Sequence, residues 1–212
     1  MTDLADHPLA RLRAAVERGR QVRPGERCEM CAEAISPEHR HVVDITERTL
    51  KCLCQPCLLL FSEDAAAKGR YRQVPTRYEA LGGDGIDDAS WDALAIPVSL
   101  AFFFHNSSQG RAVAFYPGPA GATESLLPLD AWQAVLDRNP DFAATAPDVE
   151  AVMIRRSRDA ATIECFIVPI DACYELVGRL RMNWNGFDGG SEAHAEIEEF
   201  FARVRSRVKT RA

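Results

Sequence analysis

Two cysteine pairs, Cys28-Glu-Met-Cys31 and Cys54-Gln-Pro-Cys57, lie 22 residues apart in this chain and constrain it more than any other feature. Two C-x₂-C pairs at this separation can set four thiolates tetrahedrally around one ion, provided the chain between them returns to its start. The intervening residues are suited to that return. His41 to Ile45 reads as a strand, Thr46-Glu47-Arg48 as a turn, and Leu50 to Cys54 as the strand coming back. After Cys57, the run Leu58-Leu59-Leu60-Phe61 followed by Glu63, Ala65, Ala66 and Ala67 has a helix-forming composition.

The expected order is knuckle, hairpin, then a helix starting at the second pair, and it resembles a treble-clef zinc finger. The positive end of such a helix favours the thiolates of Cys54 and Cys57. One Zn²⁺ per chain on Cys28, Cys31, Cys54 and Cys57 is the default occupant. An iron–sulfur cluster is the alternative, because thiolate ligation alone does not select the metal. Cys52, which on a strand shares a face with Cys54, and His39 and His41 are alternative ligands. A closed Cys₄ site leaves no position for water, which argues for structure over catalysis. The layout also resembles the zinc-stapled His-Asn-His nucleases, whose pattern wants a strand-borne Asp-His pair and a further His or Asn on the helix. Here His41 and Asp44 are separated by two valines and the helix offers Leu58-Leu59-Leu60. No catalytic residue is therefore assigned, and a degenerate nuclease stands as the alternative to a non-catalytic protein.

Composition narrows the class. With 212 residues and a net charge of −6, the chain is one domain or two small ones and lacks the basic balance of a dedicated nucleic-acid binder. The longest apolar stretch, Leu100 to Phe104, is far short of a membrane span. The first 27 residues hold six arginines and no signal-peptide core. Seven cysteines, five of them crowded between Cys28 and Cys57, read as metal ligands before disulfides, and the expected location is cytoplasmic.

The expected fold class is α+β. An N-terminal helix occupies residues 8–19 of a 1–27 segment; residues 28–74 form the metal module, 75–95 a linker, and 96–212 an α+β domain. In that domain two hairpins, 96–104 with 111–116 and 149–156 with 162–168, each precede a helix capped by Asp130 or Asp171. This makes an antiparallel sheet of two ββα units with packed helices. Ser191 is expected to cap a last helix whose apolar stripe is Ile197, Phe200, Phe201, Val204 and Val208. Gly118, Gly121, Thr123, Glu124 and Ser125 form a candidate ligand loop, since its glycines would let backbone amides approach an anion. Trp184 and Phe187, among glycines and amides, are candidates for a pocket or a partner contact. Cys165 and Cys173 have no base nearby in sequence.

The phrases CEMC, HRHVVDI, CLCQPCLLLF, YRQVP, IPVSLAFFF, YPGPAGATES, CFIVPIDACYELVG and WNGFDGG together resemble an uncharacterised bacterial domain-of-unknown-function family. Genes of that family tend to lie beside those of an oxygen-tolerant nickel–iron hydrogenase and its maturation factors. What the resemblance implies is an accessory protein whose partner is a hydrogenase subunit or maturation factor, with the two cysteine pairs carried over position by position.

Overall fold

The computed structural model describes residues 27–61, 66–82, 86–156, 163–186 and 189–208. The expected helix at 8–19, the connection between the strands of the second expected hairpin and Phe187 lie outside them. Among the described residues the chain is α+β, with two antiparallel sheets.

The smaller sheet has the order β2-β1-β3, from β1 (Arg40–Asp44), β2 (Thr49–Leu53) and β3 (Tyr71–Gln73). Helix α1 (Gln55–Phe61) follows β2 directly. Period-2 alternation gives this sheet two different faces. Val42 and Leu53 point to one side, where Cys28, Cys57 and Leu58 complete a small core. Val43 and Leu50, opposite each other in the β1–β2 register, point to the other side and join the core of the larger body.

The larger sheet has six strands in the order β4-β9-β8-β5-β6-β7. These are β4 (Glu79–Leu81), β5 (Leu100–Asn106), β6 (Arg111–Gly118), β7 (Gly121–Ser125), β8 (Glu150–Arg156) and β9 (Ile163–Pro169). Four helices accompany them: α2 (Asp88–Ala93), α3 (Leu129–Arg138), α4 (Ile170–Asn183) and α5 (Gly190–Arg207). The central strands are apolar at consecutive positions because both faces are covered. Leu100, Phe102 and Met153 face α4 and α5, whose Leu176, Leu180, Phe200, Phe201 and Val204 fill that layer. Ala101, Phe103, Val152 and Ile154 face Trp91, Leu94, Trp132, Val135 and Phe142 on the opposite side. Phe103 and Trp132 stack with centroids 4.4 Å apart.

Several expectations are corrected. The 75–95 stretch supplies an edge strand, β4, and a helix, α2, capped by Asp87, and it buries Trp91 and Leu94. It is part of the body rather than a linker. The first hairpin continues into a third strand, β7, so the two ββα units are not equivalent. Asp130, Asp171 and Ser191 each sit inside the first turn of their helices. The caps are Pro128, Pro169 and Gly189, with no side-chain cap bond. A proline fixes its own φ in the extended-compatible range and lets the helix begin at the next residue.

The module seats on the body through polar contacts as well as Val43 and Val74. Arg72 on β3 reaches the buried Asp148 carboxylate at 2.9 Å. His41 Nδ1 lies 2.9 Å from Asp171 Oδ2, at the first turn of α4.

Candidate metal centre

The first pair of cysteines is shaped by a tight backbone knuckle. Cys28 N–H donates to Glu33 O and Ala32 N–H donates to Cys28 O, each at 2.8 Å. The turn closes with Ala32 at φ 63°, a left-handed conformation that costs a non-glycine residue about 1–2 kcal/mol. The second pair straddles the start of α1, where Leu58 N–H bonds to Cys54 O at 2.9 Å. Glu29 ties the two together: its N–H donates to Cys52 O at 2.9 Å, and its carboxylate accepts Cys52 N–H at 2.6 Å.

These elements bring the four sulfurs of Cys28, Cys31, Cys54 and Cys57 within 4.8 Å of one another. Cys31 and Cys54 Sγ are 3.6 Å apart. A tetrahedral ion with metal–sulfur bonds of about 2.3 Å needs sulfur–sulfur edges of about 3.8 Å, so the cage is of the right size. The electrostatics fit as well. Burial would raise the Cys28 thiol, but the backbone N–H groups of Cys54, Cys31 and Met30 outweigh it and bring its pKa down to about 6. Cys57 goes the other way, pushed up by burial and by the three neighbouring sulfurs. Cys28 thus forms its thiolate readily, while the Cys57 thiol is held protonated until a cation arrives.

Cys52, His39 and His41 do not join this cage. They form a second cluster of their own, described below. The strand explains the separation: Cys52 lies opposite His41 on the body-facing side of the sheet, while Leu53 turns to the Cys₄ side and Cys54 lies past the strand end. His41 is shifted too. Burial lowers its pKa, yet the Asp171 carboxylate and the Cys52 sulfur overcome this and raise it to about 9.

The other candidates are dispersed. Gly118 and Gly121 close the β6–β7 hairpin as a register pair, so residues 117–125 are the end of β6, a two-residue turn and β7 rather than a long open loop. Thr123 and Glu124 are exposed on the edge strand, Glu124 pairs with Arg111 at 3.2 Å, and Ser125 is buried. Trp184 packs on the core and donates its indole N–H to Gly186 O at 3.1 Å. Cys165 and Cys173 are buried in opposite core layers, and burial pushes both thiols up, Cys165 to about 12. Asp44, separated from His41 by two valines, is fully buried under Arg70 and lies on the opposite face of the strand from His41.

Sequence reasoning did not find Asp171 as the partner of His41. The two are 130 residues apart, and an aspartate at a helix start reads as a cap.

Fold and site together define a class: a four-cysteine, metal-competent module seated on an antiparallel sheet covered by helices on both faces. The chain belongs to a family of unknown function, DUF5947, whose model matches residues 27–208. No curated protein and no solved structure matches it. No helix among the described residues is long and apolar enough to cross a membrane.

Proposed function

We propose that this protein is a non-catalytic accessory factor that works through protein–protein contacts, its treble-clef-like module held by one zinc ion at the four cysteines. The observation that carries the reading is the surface of α1. The helix is anchored by Cys57 and Leu58, both buried, and the next two residues, Leu59 and Leu60, are 63% and 62% exposed. Two adjacent leucines fixed in solvent on a metal-clamped helix are a contact surface for an apolar patch on a partner. Four thiolates fill a zinc ion's coordination, which assigns that ion to holding the helix. The sequence phrases that resemble a hydrogenase-associated family point to a nickel–iron hydrogenase subunit or maturation factor as the partner.

Purification of the tagged chain from its native host tests this. The expected result is zinc in a colourless protein that retains a hydrogenase subunit or maturation factor, with retention lost in a Leu59→Ser/Leu60→Ser double variant. Absence of any hydrogenase component from the wild-type preparation overturns the partner assignment. Iron with visible thiolate charge-transfer bands overturns the structural-zinc reading in favour of an electron-transfer or metal-donor protein.

A further inference from the structure

Beside the Cys₄ cage lies a second cluster that the proposed docking role does not use. One ring nitrogen each from His39 and His41, together with Cys52 Sγ, lie within 4.8 Å of one another. The strand register produces it. His41 and Cys52 are direct cross-strand partners, which places their side chains side by side on one face. His39, two residues before His41, is on the same side, and the two imidazoles pack edge to face at 4.7 Å.

Both rings are held by their other nitrogen. His39 Nδ1 lies 2.9 Å from Ser36 O, and His41 Nδ1 lies 2.9 Å from Asp171 Oδ2. A carbonyl and a carboxylate can only accept, so Nδ1 is the donor in each ring, leaving Nε2 as the nitrogen with a lone pair to offer a metal. His39 Nε2 is buried and has no hydrogen-bond partner among the described residues. Buried polar atoms are rarely left so, and each such case calls for a missing partner. A histidine–cysteine hydrogen bond accounts for His41 and Cys52 but leaves His39 unexplained.

We propose that His39 Nε2, His41 Nε2 and Cys52 Sγ bind a second divalent transition-metal ion of the zinc class, leaving its fourth position open. Two imidazoles and one thiolate are a donor set suited to such an ion, and three protein ligands leave room for water or an exogenous ligand. The supporting contacts are those that ligating histidines characteristically make, one to a carboxylate and one to a backbone carbonyl. All three residues are half-buried, so the ion has a route in. On binding, the Cys52 thiol gives its proton to solvent, as does His41 where its Nε2 carries one. Asp171 belongs to α4 of the body, so this ion would also fasten the module to the body. The inference does not depend on the docking reading.

Anaerobic titration of the stripped, reduced full-length chain with Co²⁺ tests it. The expected result is uptake of two equivalents with distinct spectra, one bearing four thiolates and one bearing a single thiolate. Cys52→Ala is expected to lose the single-thiolate equivalent and keep the other. Asp171→Asn, which retains all three ligands, is expected to weaken the second equivalent about 10–100-fold and leave the first unchanged. His39→Ala lies outside the strands and reads the same loss if Cys52→Ala does not fold. Saturation of the wild-type chain at one equivalent overturns the proposal. So does retention of both equivalents in the Cys52→Ala or His39→Ala chain.

Discussion

Replacing Asp44 by asparagine isolates the contact that fixes the β1–β2 hairpin. The carboxylate is wholly buried. Its Oδ1 accepts the N–H groups of Thr46 at 3.1 Å and Glu47 at 3.0 Å. Arg70 grips it from the side, with Nε at 3.0 Å and Nη2 at 2.6 Å from Oδ2. Asparagine can keep the two backbone bonds through its own carbonyl, but it sets an amide N–H₂ against the guanidinium. Breaking a fully buried ion pair costs about 3–5 kcal/mol. Arg70 is 39% exposed and can return to water, so the loss reduces to one charge-assisted bond, about 2 kcal/mol. For a chain of this size that is a fall in Tm of about 4–8 °C. Alanine, which also strands two backbone N–H groups, costs about 1–2 kcal/mol more. Urea unfolding at fixed metal content measures this as a lower midpoint with an unchanged slope. The pH dependence provides an internal check. Burial raises the Asp44 pKa, but Arg70 and the two N–H groups outweigh it, so the folded value lies below the ordinary one. Its contribution is therefore complete above the ordinary carboxylate pKa and is lost as pH falls through the depressed value. The gap between wild type and Asp44→Asn must close over that acid range. An asparagine variant within about 0.5 kcal/mol of wild type at neutral pH, or a gap that persists in acid, refutes the reasoning.

Three further outcomes are expected. Trp132→Ala removes the ring stacked on Phe103 in a closed layer and is expected to cost about 3–5 kcal/mol, measured by urea unfolding. Ala32→Gly relieves a left-handed alanine in the first knuckle and is expected to stabilise the metal-free chain by about 1 kcal/mol, seen as a raised Tm. In the metal-stripped chain a thiol reagent is expected to modify the exposed Cys31 well before the buried Cys165 and Cys173, and added Zn²⁺ is expected to protect Cys31, with peptide mass spectrometry locating each adduct.

The four-cysteine cluster was legible because C-x₂-C is a local pattern whose geometry a single knuckle enforces. The β-forming run of residues 96–104 likewise located a strand, though nothing local says which helices cover the two faces of its sheet. Legibility failed where the deciding contact is distant. Pro117-Gly118-Pro119-Ala120-Gly121 has the composition of a loop, yet it closes a hairpin. Gly121 has a conformational reason: its φ of +113° is a backbone conformation that a side chain would strain. Residues 75–95 carry a Pro and a Gly cluster and read as a linker, but Trp91 and Leu94 take their place from Trp132 and Phe142, far along the chain. The caps failed for a nearer reason, since Asp130 and Asp171 follow Pro128 and Pro169 by two residues, and the proline had already set the helix start.

The β1–β2 hairpin explains why two clusters of metal-binding side chains can occur a few residues apart without merging. A strand sends neighbouring side chains to opposite faces, so Cys52 and Leu53 cannot serve the same core. Leu53 and Val42 close the Cys₄ side, and Cys52, His41, Val43 and Leu50 face the body. The backbone of Cys52 is nevertheless bonded twice to Glu29, between the first two cysteines of the cage. An ion at the Cys₄ centre that orders the first knuckle therefore also orders Cys52. In the other direction, Asp171 fixes His41 on the partner strand. Any free energy by which one cluster steadies the other must act equally both ways. The hairpin is short and carries one buried carboxylate, Asp44, at its turn, so its rigidity rests on few contacts. That is the physical reason a chain of this design would place a four-cysteine cluster on one face of the hairpin and the body's helix α4 on the other.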